Sequence, residues 1–191
     1  MKKTNTYLIL LRGINVGGKN KVSMVELRKC LEELGFSNVS TFIASGNVVL
    51  QSNKHAKEIR AQIEEVLPKA FKLDSELIKV WVLTRDELQA VVDHRPKGFG
   101  GQPDKYLSDA IFLIGIDAAE VMPVFKPREG VDKVWPGNGV IYSQRLSAQR
   151  TKSRLSTMMV SPLYKSMTIR SWSTTVKLLG VLNALDTRRE A

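Results

Sequence analysis

Tyr7-Leu8-Ile9-Leu10-Leu11-Arg12-Gly13-Ile14-Asn15-Val16-Gly17-Gly18-Lys19-Asn20-Lys21-Val22-Ser23 is the stretch that decides how the chain begins to fold. Its unbroken apolar run from Tyr7 to Leu11 fits a strand buried on both faces. A glycine-rich, cationic loop follows, and Ser23 with Glu26 three residues on makes an S-x-x-E box that opens a helix. A strand feeding such a loop into a helix can hold an anion. The helix start has unpaired N–H groups, the glycines admit a ligand to the backbone, and the cations add charge. Arg12, Gly13, Asn15, Gly17, Gly18, Lys19 and Asn20 are therefore candidate anion- or phosphate-binding residues, the asparagines as hydrogen-bond donors. The loop completes neither familiar phosphate signature. Gly13 and Gly18 have the spacing of G-x-x-x-x-G-K-[ST] and Lys19 follows, but Asn20 stands where Ser or Thr would hold Mg²⁺, and G-x-G-x-x-G is absent. A plain strand-to-helix connection, its glycines serving only turn geometry, remains the alternative.

Working outward, the first helix carries Leu27, Leu31 and Leu34 and stops at Gly35. Val39–Ile43 and Val48–Leu50 read as strands joined by the tight turn Ser45-Gly46-Asn47. His55 to Phe71 has helical spacing, with Pro68 making the last turn irregular, and Ile78–Leu83 is a fourth strand. The order β-α-β-β-α-β matches a ferredoxin-like plait. A second unit is expected to start at that fourth strand. Thr84 caps a helix to about His94, and the loop Pro96–Pro103 is either an ordered lid or a flexible connector. Ala110–Ile114 is a strand, Asp117–Phe125 a short helix, and Lys133–Trp135 and Gly139–Tyr142 flank a hairpin turn. From Thr151 to Leu185 the chain reads as helical pieces broken at Pro162, the last with Ile169, Trp172, Val176, Leu179 and Leu182 at helical steps. The expected class is α+β: two tandem ferredoxin-like (α/β-plait) domains with antiparallel sheets, at 1–76 and 77–191, plus a C-terminal helical segment.

The net charge of +10 is unevenly placed. Residues 1–25 hold five Lys or Arg and no acid, residues 26–133 hold 17 acids against 15 cations, and Val134–Leu185 holds seven cations and no acid. Two acid-free ends that converge would raise a positive potential over one cleft. The tail's candidates for that cleft are Lys152, Ser153, Arg154, Thr168, Arg170, Thr174 and Lys177, with Arg170, Thr174 and Lys177 on one face of a helix. The hairpin turn adds Ser45, Gly46 and Asn47.

Other chemistry finds little support. His55 and His94 stand alone, the chain has one cysteine, and no ligand spacing for zinc or iron exists, so no cofactor is expected beyond Mg²⁺ brought by a phosphate. Cys30 lies in a helical apolar pattern and reads as a packing residue. A single cysteine cannot form an intramolecular disulfide, which points to a reducing cytoplasm. Neither Ser45 nor Ser153 sits in a G-x-S-x-G elbow, and His94 reads as a helix-end histidine. No window approaches the ~20 apolar residues of a membrane span.

Leu10 to Asn20 together with Ser45-Gly46-Asn47-Val48-Val49 resembles the signature of the bacterial domain of unknown function 1697 family. Lys152-Ser153-Arg154-Leu155 is similar to that family's Ser-x-Leu element. Thr168-Ile169-Arg170-Ser171-Trp172-Ser173-Thr174 is similar to its Thr-x-Arg-Asn-Trp-x-Thr stretch, with Ser171 where Asn is usual. The resemblance implies two ferredoxin-like domains in one soluble protein, and no particular activity.

The residues themselves point first to an anion binder whose partner is nucleic acid or a phosphorylated small molecule, held in a basic cleft between the Gly-rich loop and the C-terminal helix. Phe42, Trp81, Trp135 and Tyr142 are candidates for stacking on bases, although no RNP-like aromatic motif is present. One rival is an enzyme acting on a small phosphorylated or carboxylated substrate, with Arg12 as clamp, Asn15 and Asn47 orienting, and Ser45 or Ser153 reacting. Another is a protein-interaction scaffold.

Overall fold

The computed structural model of the 191-residue chain describes residues 4–15, 18–43, 46–74 and 78–190. Gly17 and Ser45, two of the candidate site residues, lie outside the described residues. The chain divides into two compact units, one formed by 1–88 with 178–191 and the other by 89–177.

In the first unit the chain runs β1 (Asn5–Arg12), α1 (Met24–Glu33), β2 (Ser37–Phe42), β3 (Asn47–Ser52), α2 (Ala56–Phe71) and β4 (Lys79–Thr84). The sheet order is β2-β3-β1-β4, and every neighbouring pair is antiparallel. An interior strand covered on both faces needs apolar residues at every position, and Tyr7 through Leu11 are all buried. Tyr7, Ile9 and Leu11 pack with Leu27 and Leu31 of α1 and with Ile59, Ile63 and Leu67 of α2. Ser23 caps α1 by accepting the Glu26 N–H, and Gly35 follows the C-cap with a φ of 86° that a residue with a Cβ resists.

Thr84 and Glu87 form a reciprocal capping box, with the Glu87 N–H on Thr84 Oγ1 at 3.2 Å and the Thr84 N–H on the Glu87 carboxylate at 2.7 Å. They open α3 (Arg85–Asp93). Then follow β5 (Tyr106–Leu113), α4 (Ala118–Val121), β6 (Asp132–Pro136), β7 (Val140–Leu146), β8 (Met167–Ser171) and α5 (Trp172–Glu190). The second sheet, also antiparallel, is ordered β6-β7-β5-β8, so its strands are arranged like those of the first. Its core joins Ile111, Leu113, Ile141 and Met167 of the sheet to Val121, Phe125, Leu155 and Met158. Between β7 and β8 runs a strap of three 3-10 turns, Ser147–Lys152, Leu155–Val160 and Pro162–Ser166.

The loop Pro96–Pro103 is a packed element. Phe99 is only 2% exposed and makes edge-on contacts with the rings of Trp135, Tyr142 and Trp172. Any Cβ on Gly100 would overlap the Trp172 indole. The Tyr142 hydroxyl, buried and pushed up to about 12 by that burial despite Arg95, donates to the Val91 carbonyl at 2.7 Å. Tyr142 and Trp81 are core residues and present no face to a base, while Phe42 and Trp135 are half-buried.

Three expectations are corrected here. The division into 1–76 and 77–191 differs from the compact units at two places: β4 pairs with β1 from Tyr7↔Thr84 to Arg12↔Lys79, so the first unit runs to Leu88, and 178–191 also belongs to the first unit. The stretch Thr168–Lys177 is a strand followed by a helix: Met167–Leu113 to Ser171–Asp109 pairing places Arg170 on β8, and Ser171 Oγ accepts the Thr174 N–H at 3.2 Å to start α5. Arg170 therefore shares no helical face with Thr174 and Lys177. The three- and four-residue spacing from Ile169 onward runs straight through a strand–helix junction and hides it. Finally, the helical pieces expected before Met167 are 3-10 turns that begin already at Ser147, and Pro162 opens the last of them. The strap reaches the core only at Leu155 and Met158, with Leu163 and Tyr164 half-covered, too sparse for an amphipathic helix face.

Candidate functional site

The loop after β1 closes on itself through its asparagines. Asn15, with a φ of 53°, accepts the Val22 N–H on Oδ1 at 2.8 Å and donates from Nδ2 to the Val22 carbonyl at 3.0 Å. Asn20, with a φ of 47°, donates from Nδ2 to the Gly13 carbonyl at 2.8 Å, and its Oδ1 accepts the Asp74 N–H at 3.1 Å. The Asn15 N–H donates to the Asn20 carbonyl at 2.9 Å. Asparagine tolerates the left-handed region and can mimic a backbone turn, so both amides build the loop. Ile14 buries its side chain beneath it. Arg12 is half-buried at the end of β1, while Lys19 and Lys21 are exposed and make no ion pair among the described residues. A hollow of about 560 Å³ opens against the start of α1, lined by Asn15, Gly18, Lys21, Val22, Ser23 and Glu26.

The hairpin turn meets this loop. The Leu11 N–H donates to the Gly46 carbonyl at 2.7 Å, and a Cβ on Gly46 would come within 2.9 Å of the Leu11 carbonyl oxygen. Gly46 thus serves a close backbone approach between two strands' ends. Asn47 is fully buried, its Nδ2 donating to the Phe42 carbonyl at 3.0 Å. The two quoted stretches of the opening signature are therefore spatial neighbours.

The remaining candidates belong to the second unit. Lys152, Arg154 and Lys177 are exposed. Ser153 Oγ accepts the Leu155 N–H at 3.3 Å, a local turn contact. Thr168 is buried, and its Oγ1 accepts from Arg170 Nη1 at 2.9 Å; the same nitrogen donates to the Ile169 carbonyl at 2.8 Å. Burial pulls the Arg170 guanidinium down to about 10, which leaves it a cation at neutral pH inside the protein. Thr174 lies in the hydroxyl cluster at the cap of α5, its Oγ1 accepting from Ser171 Oγ at 2.8 Å.

Asp132 escapes a reading of the sequence. It is 7% exposed, and its Oδ2 accepts the backbone N–H of Arg128 at 2.9 Å and of Arg154 at 2.8 Å. Its Oδ1 is buried with no hydrogen-bond partner among the described residues. One partner, Arg128, lies four residues before it, and the other, Arg154, comes from beyond β7, a contact that nothing in the local sequence marks. Cys30 packs against the first core, and burial together with Glu33 pushes its thiol up, away from nucleophile chemistry. His94, just past α3, places Nδ1 2.9 Å from the Ala90 carbonyl, a helix-end contact. Among the described residues no cluster of His, Cys, Asp or Glu could hold a metal ion, and no helix is long and apolar enough to cross a membrane.

Fold and loop together define an α+β protein with two four-stranded antiparallel sheets and a signature loop after its first strand. Residues 4–142 match the model of the family described as protein of unknown function (DUF1697), and the chain belongs to that family. It is similar in structure to the conserved bacterial protein SP0830 from Streptococcus pneumoniae, with a TM-score of 0.71 and 27% identity over 94% of this chain and 99% of that one. No curated protein matches it.

Proposed function

We propose that the protein binds a phosphate-bearing partner, a nucleotide or a nucleic acid, at the loop between β1 and α1. The hollow there carries the reading. It is an open depression of about 560 Å³ that faces the first turn of a helix, where a phosphate can be met from one side. Lys19 and Lys21 bring charge to a stretch that holds five cations and no acid in its first 25 residues. Glu26 on the hollow's wall opposes an anion, and Lys21 on the same wall favours one, with Lys19 beside the lining residue Gly18 in the chain. With the asparagine amides engaged in the loop, the contacts left for a ligand are the lysine ammonium groups and backbone N–H groups. We also read each unit as a ferredoxin-like plait; the shared strand order supports this, and in the second unit the strap takes the place of the second helix. A cytoplasmic location fits the single cysteine, Cys30, which is free and half-buried.

The test is a binding titration with ATP and with a short single-stranded oligonucleotide at low and high salt. Wild type is compared with the double variant Lys19→Glu, Lys21→Glu. The variant is expected to bind about tenfold more weakly, with an unchanged melting temperature, since both lysines are exposed. A steep fall with salt assigns nucleic acid, because counterion release grows with the number of phosphates neutralised, and a shallow fall assigns a nucleotide. Equal binding by the variant, or none by wild type, rejects the reading.

A further inference from the structure

We propose that the strap between β7 and β8 is a docking surface for an acidic segment of another protein that carries an apolar side chain. This inference stands apart from the phosphate reading, which concerns the first unit. Along the strap Arg150, Lys152, Arg154 and Lys165 are all exposed, and none of their side chains makes an ion pair or hydrogen bond among the described residues. The stretch from Val134 to Leu185 contains no acid, and Asp132, the carboxylate that meets the strap, is buried and spends Oδ2 on the Arg128 and Arg154 backbone N–H groups. In their midst Met159 is 51% exposed and Val160 89% exposed.

Exposed apolar side chains are common singly, but here two consecutive ones crown a turn whose other apolar residues, Leu155 and Met158, are sunk in the core. The turn is held in place. Asp132 accepts the Arg154 N–H, Arg128 Nη1 reaches the Lys152 carbonyl at 3.4 Å, and Thr157 Oγ1 donates to the Arg154 carbonyl at 2.7 Å. A fixed backbone lowers the ordering cost of binding, and methionine adapts its shape to a partner's pocket.

Charge complementarity makes the occupant acidic, and the methionine–valine tip selects among acidic partners. Phosphate chains would use the four cations and gain little from Met159 and Val160, which cannot stack on bases as aromatic rings do. An anionic membrane would take both features, but two modest side chains bury too little for stable anchoring beside four charges. A protein segment with carboxylates around one apolar side chain satisfies cations and tip together.

The experiment offers the full-length protein four probes: a peptide alternating Glu and Leu, polyglutamate of equal charge, a short single-stranded oligonucleotide, and phosphatidylserine vesicles. The Glu–Leu peptide is expected to bind tightest. The pair Met159→Ser, Val160→Ser and the pair Lys152→Glu, Arg154→Glu should each weaken it about tenfold, with melting temperatures unchanged. The variant Lys19→Glu, Lys21→Glu should bind the peptide like wild type, which separates this surface from the loop. Equal affinity for polyglutamate, indifference to the Met159 and Val160 changes, tighter binding of the oligonucleotide or vesicles through the strap, or no binding of the Glu–Leu peptide each overturns the proposal.

Discussion

Asp132 at the start of β6 holds the backbone of Arg154 through Oδ2 at 2.8 Å, and so ties the strap to a hairpin strand 22 residues earlier. The same oxygen takes the Arg128 N–H at 2.9 Å, so one buried carboxylate oxygen satisfies two part-buried backbone donors from separate segments. Asp132→Ala should cost about 2–3 kcal/mol in a denaturant titration, because hydrogen bonds to a charged acceptor are worth about 1.5–3 kcal/mol and both donors would be stranded. Asp132→Asn should cost less than half of that. Its carbonyl can replace Oδ2, and its NH₂ takes the position of the oxygen that makes no bond. Equal losses in the two variants would show that the negative charge, and not the acceptor geometry, fixes the strap.

Gly46 and Gly18 separate two reasons for a glycine. Both have positive φ, 74° and 77°, but a Cβ on Gly46 meets the Leu11 carbonyl oxygen at 2.9 Å whereas one on Gly18 meets nothing within 4 Å. Gly18→Ala should therefore lose only the backbone strain, about 1 kcal/mol, and Gly46→Ala should lose about 2–3 kcal/mol by adding a clash with main chain that cannot turn aside. Thermal melts of the two variants decide this, and a Gly18 loss as large as that of Gly46 would contradict it.

The front of the fold was legible because each element carries its own punctuation. Ser23 caps its helix, Gly35 follows its end, and Thr84 with Glu87 closes a full capping box, each where its spacing predicts. The apolar run of β1 likewise announced an interior strand. The back was less legible for a physical reason: β8 buries Thr168 and Arg170 on one face, so its alternation is polar where a buried strand is normally apolar, and the helical spacing of the residues after it dominates the pattern. In the loop, a sequence shows that Asn15 and Asn20 can donate hydrogen bonds but not to what. Their positive φ and their bonds to Val22, Gly13 and Asp74 are settled by the folded backbone. Asp132 is not legible in the sequence because its turn contact with Arg128 is ordinary, while Arg154 is brought to it only by the fold, 22 residues later.

Asp109 on β5 offers a pH test with a definite sign. Burial pushes its carboxyl above the ordinary carboxylate range, and Arg145, whose guanidinium lies 3.5 Å away, opposes that rise without cancelling it. Its cross-strand neighbours Ser143 and Ser171 carry no charge. A carboxyl whose pKa is higher folded than unfolded binds more protons in the native state, so its contribution is most favourable below the unfolded value of about 3.9 and is lost as pH rises through the folded value. Asp109→Asn, neutral at every pH, should therefore gain on wild type as pH increases across that window and hold its advantage at neutral pH. The measurement is urea stability of both proteins from acid to neutral pH. If the variant instead loses ground as pH rises, the ion pair with Arg145 outweighs the burial of the charge, and the pair stabilises the sheet that this reading says it merely tolerates.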